Sequence, residues 1–137
     1  MSSSKKPGKQ RKSAINAPLH VRRKRLRARL ETDDNRFVGI RTISVRVGDT
    51  VKVVRGDFGH PSKGKRHGDK RGPSGIEAKV IRIDSSSGSI FIEGVTRAKA
   101  DNKEEGVPIH ASNVVVTELD ESDKLRMQKL LKLGGGK

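Results

Sequence analysis

The apolar positions of this chain change period twice. Residues 1–16 show no hydrophobic spacing, with Pro7 and Gly8 set among lysines and serines, and are expected to be a disordered basic tail. In NAPLHVRRKRLRARL, Leu19, Leu26 and Leu30 recur near one helical face with arginines elsewhere. Asn16 can cap such a turn and Pro18 suits its start, so the spacing predicts a short helix from about 17 to 30. The polar ETDDN ends it, giving a basic helix and linker over 17–36.

From Phe37 onward the period is two. SVRVGDTVKVV alternates Val45, Val47, Val51 and Val53 around a Gly48-Asp49 turn. AKVIRID sets Val80 out of step with Ile81 and Ile83, which predicts a bulge or a change of face. After the SSSG turn, SIFIEGV puts Ile90 and Ile92 on one face and Phe91 on the other, and NVVVTEL (113–119) reads as the last strand. Five or so short strands over 37–119 predict a mainly β body, a small barrel or sandwich. A C-terminal helix follows within 120–137, with acids in its first turn, Ser122 as cap and Gly134 as stop. Leu125, Leu130, Leu131 and Leu133 give it an apolar side that packs on the body.

Charge changes this picture more than composition does. Of 137 residues, 31% are hydrophobic and 34% charged, so the core is small for the length. There is no cysteine, which rules out disulfides and Cys-based zinc sites, and no apolar run is long enough to span a membrane. The net charge is +15, and its distribution is lopsided: residues 1–30 hold eleven Lys or Arg and no acid. The rest of the chain nets only +4. A self-repelling arm stays extended until a polyanion neutralises it, and nucleic acid is the commonest such partner. The arm's candidate RNA contacts are Lys5, Lys6, Lys9, Arg11, Lys12, His20, Arg22, Arg23, Lys24, Arg25, Arg27 and Arg29.

GHPSKGKR, from Gly59 to Arg66, matches G-x-x-x-x-G-K and raises the question of a nucleotide site. Arg66 stands where the magnesium-binding hydroxyl belongs, and Pro61 removes an amide from the wrap. Gly68, Gly72, Pro73 and Gly75 prevent the helix whose N-terminus must face the phosphate. The match is accidental. The segment reads instead as a cationic hairpin tip over 56–75, with Arg55, Lys63, Lys65, Arg66, Lys70 and Arg71 reaching phosphates from a glycine-rich backbone. The four histidines are scattered without metal-ligand spacing, and no serine sits in a context that activates a nucleophile, so no catalytic site is expected. With three Phe and no Trp or Tyr, stacking platforms for splayed bases are scarce, and shape recognition of a folded RNA suits the composition better.

VRVGDTVKVVRGDFG followed by GIEAKVIRID resembles a KOW motif: strand, Gly-Asp turn, strand ending in a glycine loop, third strand. INAPLHVRRK before it, and IEGVTRAKAD and GVPIHASNVVV after it, narrow the likeness. In this order they resemble the large-subunit ribosomal protein family L-twenty-four in its archaeal and eukaryotic form, over about 13–120. The loose fit of the first residues to an organellar transit peptide gives way, because the arm carries part of this likeness. The resemblance implies an SH3-like barrel on large-subunit ribosomal RNA near the polypeptide exit tunnel, beside neighbouring ribosomal proteins, in the cytoplasm, with a role in early assembly. It implies RNA contacts at Arg22, Arg23, Lys24, the tip after Arg55, Arg97, Lys99 and the His110 turn, with Ser112 and Asn113 as turn-makers. No enzyme activity, cofactor, metal, membrane, small-molecule substrate or homo-oligomer is implied. The family's usual glycine before the third strand is Ala78 here, and the preceding loop is longer, so the turn is expected at Gly75. The alternative is a free-standing KOW-type factor of the transcription machinery or another RNA-associated assembly.

Overall fold

The computed structural model describes residues 4–56, 58–59 and 75–134. Three helices are present among them: α1 (Pro7–Ile15), α2 (Leu19–Arg22) and α3 (Lys124–Gly134). The strands are β1 (Arg27–Leu30), β2 (Thr42–Ser44), β3 (Thr50–Val53), β4 (Glu77–Asp84), β5 (Ser89–Ile92), β6 (Thr96–Ala98), β7 (Glu104–Gly106), β8 (Ile109–His110) and β9 (Val114–Glu118). Seven form one sheet in the order β2-β1-β9-β3-β4-β5-β8, and β6 and β7 form a separate hairpin. The class is mainly β with flanking helices, as expected. The edge strands β2 and β8 are not paired with each other, so the hydrogen-bonded sheet stays open rather than closing into a barrel.

Period-two burial builds this sheet. Val51 and Val53, Ile90 and Ile92, and Val114 and Val116 all point into one cluster that also takes in Leu26, Ala28, Phe37, Ile43 and Val80. The out-of-step isoleucines mark a real irregularity: the β4–β5 register shifts between Val80 and Arg82, and Ile81 faces solvent. Val47 does not follow the alternation. It lies in the loop before Gly48 and is exposed, because Gly48 turns the chain at φ +93. Gly75 takes a positive φ of +69, while Ala78 is an ordinary β4 residue opposite Val51.

The N-terminal third departs from its sequence reading. The single helix expected over 17–30 is instead α2, a 3-10 turn at Arg23–Arg25, and the strand β1. β1 pairs antiparallel with β2 and parallel with β9, and this pairing turns Leu26 and Ala28 inward at a spacing of two. Burial of those two residues against the sheet overrides a helical preference that arginine and leucine share. The body therefore begins before Phe37. The expected disordered tail also contains α1, with Pro7 in its first turn and Asn16 at its C-terminal end, but α1 buries no residue.

α3 docks by Arg126, Met127 and Leu130, while Leu125, Leu131 and Leu133 face outward. Its cap is Asp123 rather than Ser122: Asp123 Oδ1 accepts from the amides of Leu125 (3.0 Å) and Arg126 (3.1 Å). Ser122 donates its hydroxyl to Asp120 instead. Arg126 carries the one ion pair that is buried on both sides among the described residues. It makes a two-pronged contact with Asp49, at 2.6 and 2.7 Å. The same carboxylate accepts the amides of Arg46 (2.8 Å) and Asp120 (3.0 Å), and Arg126 also donates to the Ser44 carbonyl.

Acid titrates this end of the molecule. Amide donation from Arg126, and next the Arg46 guanidinium, hold the Asp123 carboxyl below its ordinary 3.8. Ser122 lowers Asp120, and Arg36 lowers Asp34. A carboxylate depressed on folding contributes stability that is complete above the unfolded value and is lost as pH falls through the folded one. We therefore expect α3 to loosen only below about pH 4, followed by the amide shifts of α3 across an acid titration. Asp123→Asn, which still caps, should remove Asp123's share of that dependence.

Candidate nucleic-acid interface

The basic residues fall into four structural settings. Lys5 and Lys6 precede α1, and Lys9, Arg11 and Lys12 lie on it, all exposed. His20 and Arg22 are on α2, and Arg23, Lys24 and Arg25 in the 3-10 turn. Two of these arginines brace the arm: Arg22 Nε donates to the Ala17 carbonyl and Arg25 donates to that of Ala14, both at 2.7 Å. Arg23 and Lys24 are exposed and meet no carboxylate among the described residues.

β1 provides the second setting. With Ala28 buried, Arg27 and Arg29 both point outward, opposite Ser44 and Thr42 of β2. On the other side Arg29 pairs with Val115, which in turn pairs with Lys52 of β3. Lys52 was not among the sequence candidates. The signal was present, since it sits between two buried valines and must face out, but its placement beside Arg29 depends on the β1–β9–β3 order.

The third setting gathers distant segments. A Cβ on the buried Gly88 would stand 3.4 Å from His110 Nε2 and 3.5 Å from Arg25 Cβ, so arm and His110 turn converge on the β4–β5 hairpin. His110 Nδ1 is 2.8 Å from Ser112 Oγ and accepts the Ser112 amide, starting the 3-10 turn Ala111–Asn113 that leads into β9. The Asn113 carbonyl accepts the amides of Val54 and Arg55, which anchors the exposed Arg55 at the base of the long loop. Lys63, Lys65, Arg66, Lys70 and Arg71 lie outside the described residues.

The β6–β7 hairpin is the fourth. Arg97 is exposed, but Lys99 is tied to Glu105 at 2.6 Å and is a weaker candidate for phosphate than its charge suggested. Among the described residues no cluster of three His, Cys, Asp or Glu could hold a metal, and no helix is long and apolar enough to cross a membrane.

A small β body, a braced cationic arm and outward arginines on a core strand define a basic, mainly β protein. Residues 4–132 match the family of ribosomal proteins described as L26 in eukaryotes and L24 in archaea, and the chain belongs to that family. It is similar to the large ribosomal subunit protein uL24 of Sulfolobus acidocaldarius, 42% identical over 93% of this chain and 84% of that one. The counterpart of Saccharolobus solfataricus is 43% identical over 93% of this chain and 94% of its own. That of Haloarcula marismortui is 42% identical, covering 93% of both. The family is a structural one, and the chain is not an enzyme.

Proposed function

We propose that this chain is a structural constituent of the large subunit of the cytoplasmic ribosome and holds ribosomal RNA through its phosphates. Arg23, Lys24, Arg27 and Arg29 carry the reading. They are exposed, follow one another along the 3-10 turn and β1, and are not neutralised by any described carboxylate. Four such cations, exposed along the 3-10 turn and β1, are a phosphate-binding array. Arg55, His110 and Lys52 extend it across the sheet. The family likeness supports a place near the polypeptide exit tunnel, a role in early subunit assembly, and contacts with neighbouring ribosomal proteins.

Salt dependence tests the array. Each neutralised phosphate adds about 0.7–0.9 to the slope of log affinity against log salt. Replacing Arg23, Lys24, Arg27 and Arg29 together with Gln should lower the slope for a large-subunit RNA fragment by about 3. An unchanged slope would remove these four from the binding surface.

A further inference from the structure

The β6–β7 hairpin folds over the outer face of β5 and encloses, with the segment leading into β8, an open cavity of about 800 Å³. One wall is Phe91, which alternation turns away from the core and which is half-buried. The ring is held on two sides. Arg82 Cζ lies 5.2 Å from its centroid, and Gly106 comes so close that a Cβ there would stand 3.1 Å from Cδ1. Any residue larger than glycine at 106 would make the ring give way by a few tenths of an ångström. Val107 and Pro108 extend the apolar surface.

Two charged groups line this cavity without a partner among the described residues. Lys99 and Glu105 neutralise each other, which leaves Arg97 and Asp101, whose side chains make no hydrogen bond or ion pair among the described residues. A flat apolar wall, a free carboxylate and a free guanidinium match the three parts of a nucleotide: base face, base edge and phosphate. The carboxylate selects among bases, because it only accepts hydrogen bonds. Guanine alone presents two adjacent donors, N1–H and N2–H, on its Watson–Crick edge. Adenine and cytosine each set a ring-nitrogen acceptor there, and uracil flanks a single donor with two carbonyls.

We propose that this cavity receives one unpaired guanine of the bound RNA, with the base against Phe91, its Watson–Crick edge on Asp101 and its phosphate on Arg97. This rests on the RNA-binding reading above and adds sequence recognition to a surface that otherwise reads only backbone. A single half-buried aromatic suffices for one base, in a chain whose composition makes stacking platforms scarce.

The test uses the full chain and four single-stranded pentanucleotides, adenine at every position except a central G, A, C or U, followed by fluorescence anisotropy. The G-centred strand should bind about tenfold more tightly than the others, since a two-bond edge contact discriminates by roughly 5- to 150-fold. Its amide shifts should centre on Ala98, Ala100 and Val107. Asp101→Ala, at an exposed hairpin position, should abolish the preference without changing the melting temperature. Arg97→Gln should weaken all four strands alike. Equal binding of the four strands, no binding of any, or a preference that survives Asp101→Ala would overturn the proposal. Binding of a large-subunit RNA fragment to Asp101→Ala distinguishes the failures: if salt-dependent binding persists while the guanine preference is absent in the wild type, only the cavity assignment falls.

Discussion

Asp49→Ala should destabilise the fold by about 3–5 kcal/mol, read from the midpoint of urea unfolding. The carboxylate is wholly buried and accepts four hydrogen bonds, two from Arg126 and one each from the amides of Arg46 and Asp120. Its removal strands a guanidinium that keeps only the Ser44 carbonyl, and orphans two amides. Arg126→Met should cost less, toward the lower end of the range. Asp49 would then retain both amides, and methionine can fill the space left by the arginine stem. The double variant Asp49→Ala/Arg126→Met should be more stable than Asp49→Ala alone, because no unpaired charge remains buried. If the two single variants were both neutral, the α3 end of the body would not depend on this pair.

Two truncations should separate the arm from the body. Deleting residues 1–16 removes α1, none of whose own residues is buried, and should leave the cooperative melt nearly intact. Among the described residues, the hydrogen bond it loses to the rest of the protein is the Arg25 contact with Ala14. Deleting residues 1–30 should abolish cooperative unfolding. It takes away β1, which lies between β2 and β9, together with the buried Leu26 and Ala28. Both deletions remove positive charge, so only the shorter one isolates the arm's effect on RNA binding. Circular dichroism melts of the two proteins decide between a detachable arm of 30 residues and one that ends before α2.

The strands after Phe37 were legible because each is half-buried, and half-burial writes a period of two into the residues. Val51–Val53 and Ile90–Ile92 are buried as their spacing requires, and the Ile81–Ile83 offset marks the observed register shift. The arm's charge was equally plain, since it needs no contact to be counted. The segment 17–30 was not legible. Leu19, Leu26 and Leu30 fit a helical stripe, yet Leu26 is buried and Leu19 half-exposed once β1 enters the sheet. Strand pairing with residues almost ninety positions away has no local signature.

The amino-acid order by itself determined the mainly β class and the acid-free leader, because periodicity and charge are local properties. Only the tertiary structure decided which of the cations stay free. It set Lys99 against Glu105, spent Arg22 and Arg25 on backbone carbonyls, buried Arg126 on Asp49, and left Arg27, Arg29 and Lys52 on one outer face. A charge becomes available to a partner through what packs beside it, and that follows from strand order and register rather than from position along the chain.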